Sequence, residues 1–222
     1  MLLERLPGVL MGTAFNVAVG AVLFGCAGRW NLPFFWAYLG ILEAFIVVAG
    51  LLADPDLARE RLRPGPGGKD YFTAVAFLPL WVGKYVVAGL DVGRFHWSDS
   101  VPPALQVVGL VLFAAAMAVM VWAVAVNRFF SSVVRIQRDR GHHVISTGPY
   151  RFVRHPGYAA GLLLFLGSGL ALGSWLALLL SVAMIPGLFR RTVVEDRTLR
   201  QELEGYAGYA EKVRYRLVPG VW

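Results

Sequence analysis

Four stretches of this chain, 9–27, 33–53, 71–90 and 103–126, are almost purely apolar, and each has the roughly 20 residues that a helix needs to cross a bilayer. A fifth apolar region, 158–189, is too long for one crossing: at about 1.5 Å per residue it would form a helix of about 48 Å in hydrocarbon about 30 Å thick. Gly173-Ser174 at its middle predicts a turn. The region therefore reads as a helical hairpin with two short arms, the second weakened at Pro186, which lacks a backbone N–H. The pattern predicts an all-α, polytopic helical membrane protein of four spans, a C-terminal helical hairpin and a cytoplasmic tail helix. It forms a single membrane domain, 1–222, in which 1–126 holds the spans and 127–222 the polar chemistry.

Composition agrees with lipid as the main solvent: 57% of residues are hydrophobic, 16% are charged, and the mean hydropathy is +0.60. The net charge of +7 is unevenly spread. Arg59, Arg61, Arg63 and Lys69 lie in the second connection, and Arg128, Arg135, Arg138, Arg140, Arg151 and Arg154 in the fourth. The first and third hold only Arg29 and Arg94. Because Lys and Arg accumulate on the cytoplasmic side, both termini are expected there, in the inner membrane if the source is bacterial. The basic tail after Phe189 fits only if the hairpin crosses twice. Membrane lipids are expected partners, with anionic headgroups attracted secondarily. Nucleic acid is not, since no basic face with interleaved aromatics stands clear of the spans. Glu4 offsets Arg5 and the first run is long enough to span, so a retained helix is expected rather than a cleaved leader. The single cysteine, Cys26, allows no internal disulfide and reads as a small packing residue.

Within the spans, Gly8/Gly12 and Gly169/Gly173 have the spacing that permits close helix approach. Glu43 and Lys84 lie at depths where an unpaired charge is costly. Similar depth predicts that they face each other, either as an ion pair locking two helices or as the polar lining of a cavity.

The chemistry is expected in 142–158, where His142-His143-Val144-Ile145 is followed by the turn Gly148-Pro149-Tyr150 and by Arg154-His155-Pro156-Gly157-Tyr158. A hairpin returns its ends to one face, so this segment should meet Arg190-Arg191 and Glu195-Asp196. Each piece has a plainer reading. Arg151 and Arg154 serve equally as headgroup anchors, and Arg191 with Glu195 as an i,i+4 helix pair. The histidines do not read as a metal site, because no carboxylate or thiol falls at a ligand spacing and the tandem pair chelates one ion poorly.

In combination these residues resemble the isoprenylcysteine carboxyl methyltransferase and phospholipid methyltransferase families of integral membrane enzymes. The likeness covers roughly 127–218 and rests on His142 six residues before Gly148, Gly148-x-Tyr150, Arg154-His155-Pro156-x-Tyr158, the hairpin, and Arg191 four residues before Glu195. It implies methyl transfer from S-adenosylmethionine, with cofactor contacts at His142, Val144, Ile145, Tyr150, His155, Pro156, Gly157, Tyr158 and Glu195. Arg191 falls where the family places the acceptor group, and Gln137 is a further candidate cofactor contact. Asp196 stands in place of a second glutamate, and the ending from Tyr206 departs from the eukaryotic carboxyl methyltransferases. The acceptor is therefore left as a small or lipid-like molecule bearing a carboxylate, thiol or amine.

The side chains suit that ligand. Glu195 would pair with its ammonium, Tyr150 and Tyr158 would pack on adenine or ribose, and Arg154 or turn amides would hold its carboxylate. The catalytic candidates are Arg191, His155 and Arg154: Arg191 would position an anionic acceptor, His155 would take a proton from an amine, and Arg154 would supply a fixed cation. The alternatives are an NADPH-dependent membrane reductase of the sterol reductase type and a non-catalytic scaffold or transporter with Glu43 and Lys84 as its polar path.

Overall fold

The computed structural model describes residues 2–68 and 70–222; Lys69 and the side chain of Glu4 lie outside the described residues. Helices α1 (Leu2–Ala27), α2 (Pro33–Leu52), α4 (Tyr71–Leu90) and α5 (Pro103–Val126) follow the four apolar runs. A short helix α3 (Pro55–Leu62) lies between α2 and α4. The hairpin is α6 (Pro156–Ala171), a turn, then α7 (Trp175–Val182) and α8 (Ile185–Glu202), after which comes α9 (Tyr206–Lys212). Among the described residues five runs are long and apolar enough to cross a membrane, α7 and α8 counting as one, and α6 is a shorter apolar helix. The chain is a multi-pass membrane protein.

Local chemistry sets the element ends. Pro33, Pro55, Pro103 and Pro156 each open a helix at its first position, where the missing N–H has no partner to lose and the fixed φ is already helical. Asp54 caps α3 through Asp56 N–H at 2.9 Å, and Ser174 caps α7 through Ala177 N–H at 3.1 Å. The hairpin turns where Gly173 adopts φ +72°. The second arm is interrupted at Pro186, as the sequence predicts. The helix breaks at Ala183-Met184, and Pro186 lies in the first turn of α8. With no breaker after Phe189, α8 then runs on to Glu202 and carries Arg191, Glu195 and Asp196 as an extension of the arm itself.

Lipid competes with any apolar interior, so packing has to hold the spans together. α5 and α6 approach backbone to backbone. A Cβ at Gly109 would lie 2.4 Å from Ala171 N, and one at Gly167 2.6 Å from Phe113 N. Of the predicted small-residue spacings, Gly12 instead accommodates Ile46 of α2, Gly169 accommodates Leu178 of α7, and Gly173 forms the turn. The buried centre stacks Tyr38 on Phe113 at 4.3 Å and joins the Tyr38 and Tyr85 hydroxyls at 2.9 Å.

Glu43 and Lys84 do not pair. Glu43 accepts from Thr13 Oγ1 at 2.5 Å and Asn16 Nδ2 at 2.9 Å, both on α1. Lys84, fully buried, reaches Ser168 Oγ of α6 at 3.3 Å and lies over the Tyr85 ring at 4.4 Å. The apolar runs placed both residues within spans, but the side of its helix that each residue faces was not readable from the chain.

The connections sort onto two faces. On one, Asp91 in a π-helical turn (Asp91–Phe95) accepts from Ser98 N–H at 2.8 Å and Ser174 Oγ at 2.5 Å, tying the α4–α5 loop to the hairpin turn. On the other, α3, the segment 127–155, the end of α8, α9 and the tail come together.

Candidate active site

The pre-proline geometry at His155 lays residues 154–155 beside the tail, with Arg154 N–H on Tyr215 O and His155 N–H on Arg216 O, both at 2.9 Å. Beneath this junction Asp196 acts as a hub. It accepts from Arg154 Nε at 2.8 Å, Tyr206 Oη at 3.1 Å, Arg216 Nε at 3.1 Å and Arg200 Nε at 3.2 Å, and His155 Nε2 lies 3.3 Å away. Arg154 also donates from Nη1 to Val213 O and Arg214 O at 2.8 and 2.7 Å. Its guanidinium borders the site but is committed to Asp196 and these carbonyls, so it holds the tail rather than aiming at a ligand.

The two adjacent acids differ in access: the Asp196 side chain is 3% exposed and that of Glu195 29%. Glu195 accepts from Tyr158 Oη at 2.5 Å, and the same hydroxyl accepts from Arg191 Nε at 2.8 Å. Arg191 continues to Ser132 O at 2.5 Å. The i,i+4 pair of α8 is thus bridged by a tyrosine of α6.

His155 is buried between the acids, with Nδ1 3.7 Å from Glu195 Oε1. Burial alone would push its pKa down, but the hydrogen bonds and charges of Asp196 and Glu195 outweigh it and leave the pKa raised. The shift favours the imidazolium form, which has no free lone pair to accept a proton. His142 is the opposite case. Burial lowers its pKa to about 4 against the weaker pull of Glu195. Its Nδ1 accepts from Gln137 N–H at 3.2 Å, which places the proton of the neutral ring on Nε2. The third histidine of the segment, His143, is exposed, with Nδ1 3.0 Å from Gly141 O.

These groups surround a cavity of about 340 Å³, within the usual range for small-molecule sites. His142, Val144, Ile145, Tyr150, Arg154, His155, Gly157, Tyr158, Arg191 and Glu195 all line it, as does Gln137. Pro156 is not among the lining residues; it starts α6. Gly157 matters for space, since a Cβ there would meet the Phe130 ring at 2.5 Å. Sequence reading missed Phe129, Arg135, Tyr206 and Tyr209, and the apolar end formed by Phe77, Met120, Leu164, Phe165 and Leu188. Tyr206 and Tyr209 did carry a signal, being i,i+3 on a helix and so on one face. Their hydroxyls reach Asp196 and Tyr150 O at 3.1 and 2.7 Å.

Comparison with known proteins bears on the same region. Residues 105–204 match the family described as phospholipid methyltransferase. Probable protein-S-isoprenylcysteine O-methyltransferases of Oryza sativa subsp. indica and subsp. japonica are each 29% identical over 147 residues, 65% of this chain and 74% of theirs. The cobalt-zinc-cadmium resistance protein CzcN of Cupriavidus metallidurans is 29% identical over 137 residues, 59% of this chain and 57% of its own. Among solved structures, a eukaryotic intramembrane Ras methyltransferase, isoprenylcysteine carboxyl methyltransferase, aligns with a TM-score of 0.48 and 17% identity, covering 91% of this chain and 74% of that one. The stretch 105–204, a little under half of the chain, is thus similar to the phospholipid methyltransferase family.

Proposed function

We propose that this protein transfers a methyl group from S-adenosylmethionine to a lipid-like acceptor at the cytoplasmic face of the membrane. The observation that carries the reading is the continuity of one cavity from a polar end, at Glu195, His142 and Arg191, to an apolar end built by the membrane helices α4, α5, α6 and α8. A polar cofactor from the cytosol and an apolar acceptor from the bilayer need such a junction. The acceptor would enter sideways, between the hairpin and its neighbouring spans.

The polar end suits the cofactor's functional groups. Glu195 is the accessible acid for an ammonium, His142 offers an Nε2–H, and Tyr158 and Phe129 provide flat walls. Bound there, S-adenosylmethionine would supply a methyl on a sulfonium, which leaves as a neutral thioether without acid assistance. The protein's task is then alignment and exclusion of water, worth on the order of several kcal/mol. Arg191, braced by Ser132 O and Tyr158, presents a fixed cation to the acceptor. With the His155 pKa raised by Asp196 and Glu195, which favours the protonated ring, the arrangement suits an acceptor that is already anionic, a carboxylate or a thiolate. The Oryza relatives are named for a protein-S-isoprenylcysteine acceptor, which is lipid-like.

Calorimetry on detergent-purified protein tests the reading. Wild type should bind S-adenosylmethionine saturably and NADPH not at all, and Glu195→Ala should weaken binding by about tenfold or more, the loss expected for a charge-assisted hydrogen bond. Binding of NADPH in its place would sink the methyltransferase reading.

A further inference from the structure

Helix α3 and the first part of the segment after α5 are joined more closely than a loop contact requires. Glu60 and Arg135 form a buried bidentate ion pair, Nε–Oε1 at 2.8 Å and Nη2–Oε2 at 2.7 Å, with side chains 4% and 1% exposed. Ser131 Oγ also donates to Glu60 at 3.1 Å, Ser132 Oγ to Arg61 O at 3.3 Å, and Arg61 Nε to Phe130 O at 3.3 Å. Asp139 takes the remaining side of Arg135 at 2.8 Å. The Arg135 hydrogen bond, working against burial, holds the Glu60 carboxyl below its usual range, so the pair is ionised.

The segment fastened in this way is the roof of the cavity. Ser132 O receives Arg191, the Phe129 ring packs on His142 at 4.5 Å, and Phe130 covers Gly157. Glu60 touches none of the cavity and lies outside the family-matched stretch 105–204. We propose that Glu60 is a positioning residue: acting through Arg135, it makes α3 a clamp that seats the segment 129–145 on the bound cofactor. The inference rests on the S-adenosylmethionine reading. An ionised pair removed from water costs more to break than it contributes when intact, so loss of Glu60 leaves Arg135 with a single acid and frees the roof to lift.

The test is the S-adenosylmethionine dissociation constant of the full chain in detergent, read beside its thermal unfolding midpoint. Four proteins are compared: wild type, Glu60→Ala, Glu60→Gln and the exposed α3 control Arg59→Ala. Glu60→Ala should weaken binding about tenfold or more, while Glu60→Gln, which keeps acceptor and shape, should lose clearly less. Arg59→Ala should match wild type. A purely structural role would lower the midpoint and leave the dissociation constant of the folded protein unchanged, overturning the proposal. If Glu60→Ala does not fold, Glu60→Asp, whose shorter carboxylate cannot hold both Arg135 nitrogens, takes its place under the same expectation. Should wild type bind and every variant bind equally, the positioning role fails while the cofactor reading stands. If wild type itself does not bind, both fall.

Discussion

At the scale of single residues, His142 and His155 are displaced from the same ordinary pKa in opposite directions, so the site should tolerate neither acid nor base. For His142, lowered from 6.5 to about 4, the unfolded chain binds more protons between those values. Its stabilisation is present above about pH 6.5 and is lost as pH falls towards 4. For His155 the folded pKa is raised, so its contribution is full below about 6.5 and is lost as pH rises through the folded value. The two overlap at about 6.5, where thermal stability in detergent should peak. His142→Gln should flatten the acid limb and spare the alkaline one; an unchanged acid limb would show that His142 does not carry it. Motif spacing placed both histidines at the site, because turn residues and a helix start fix neighbours in sequence. Opposite charge states could not be read there, since Asp196, Gln137 and Tyr206 reach these rings only once α8, α9 and the segment 137–142 have packed.

Among the elements, the α5–α6 contact is the one with the least freedom. Gly109→Ala would drive a methyl to within 2.4 Å of the Ala171 amide nitrogen, a backbone atom that cannot swing away as a side-chain tip does. Overpacking of this kind costs about 1–3 kcal/mol, so the variant should unfold at a clearly lower temperature. Gly40→Ala in α2 is the comparison: nothing lies within 4 Å of its new Cβ, and removing a helical glycine should gain roughly 0.5–1 kcal/mol. Equal midpoints for the two variants would mean that α5 and α6 are farther apart than described. Span lengths and the starts of α2 and α5 were plain in the sequence, because apolar runs and N-terminal prolines are local signals, whereas α1 begins at Leu2, ahead of the expected 9. The glycines that matter were not, because Gly109 and Gly167 are 58 positions apart and their spacing marks no motif.

For the molecule as a whole, the crowding of cations and the location of the site fall on one face. Arginines crowd the second and fourth connections and the tail, and those are the segments that α3, the cavity roof and the Asp196 hub bring together. The opposite face has Asp91, Ser98 and Ser174 as its fastening, with Trp30, Trp97 and Trp175 exposed nearby, a composition suited to the interface. The proposed cofactor, if made in the cytosol, would require the arginine-rich face to be cytoplasmic, the orientation that the positive-inside rule assigns from charge alone. Single cysteines in a Cys26→Ser background test this directly: Arg59→Cys should be shielded from an impermeant maleimide in intact cells, and Trp97→Cys should react. The reverse labelling would put the cavity's polar end on the side where S-adenosylmethionine is absent. It would then exclude the proposed reaction whatever the purified protein binds.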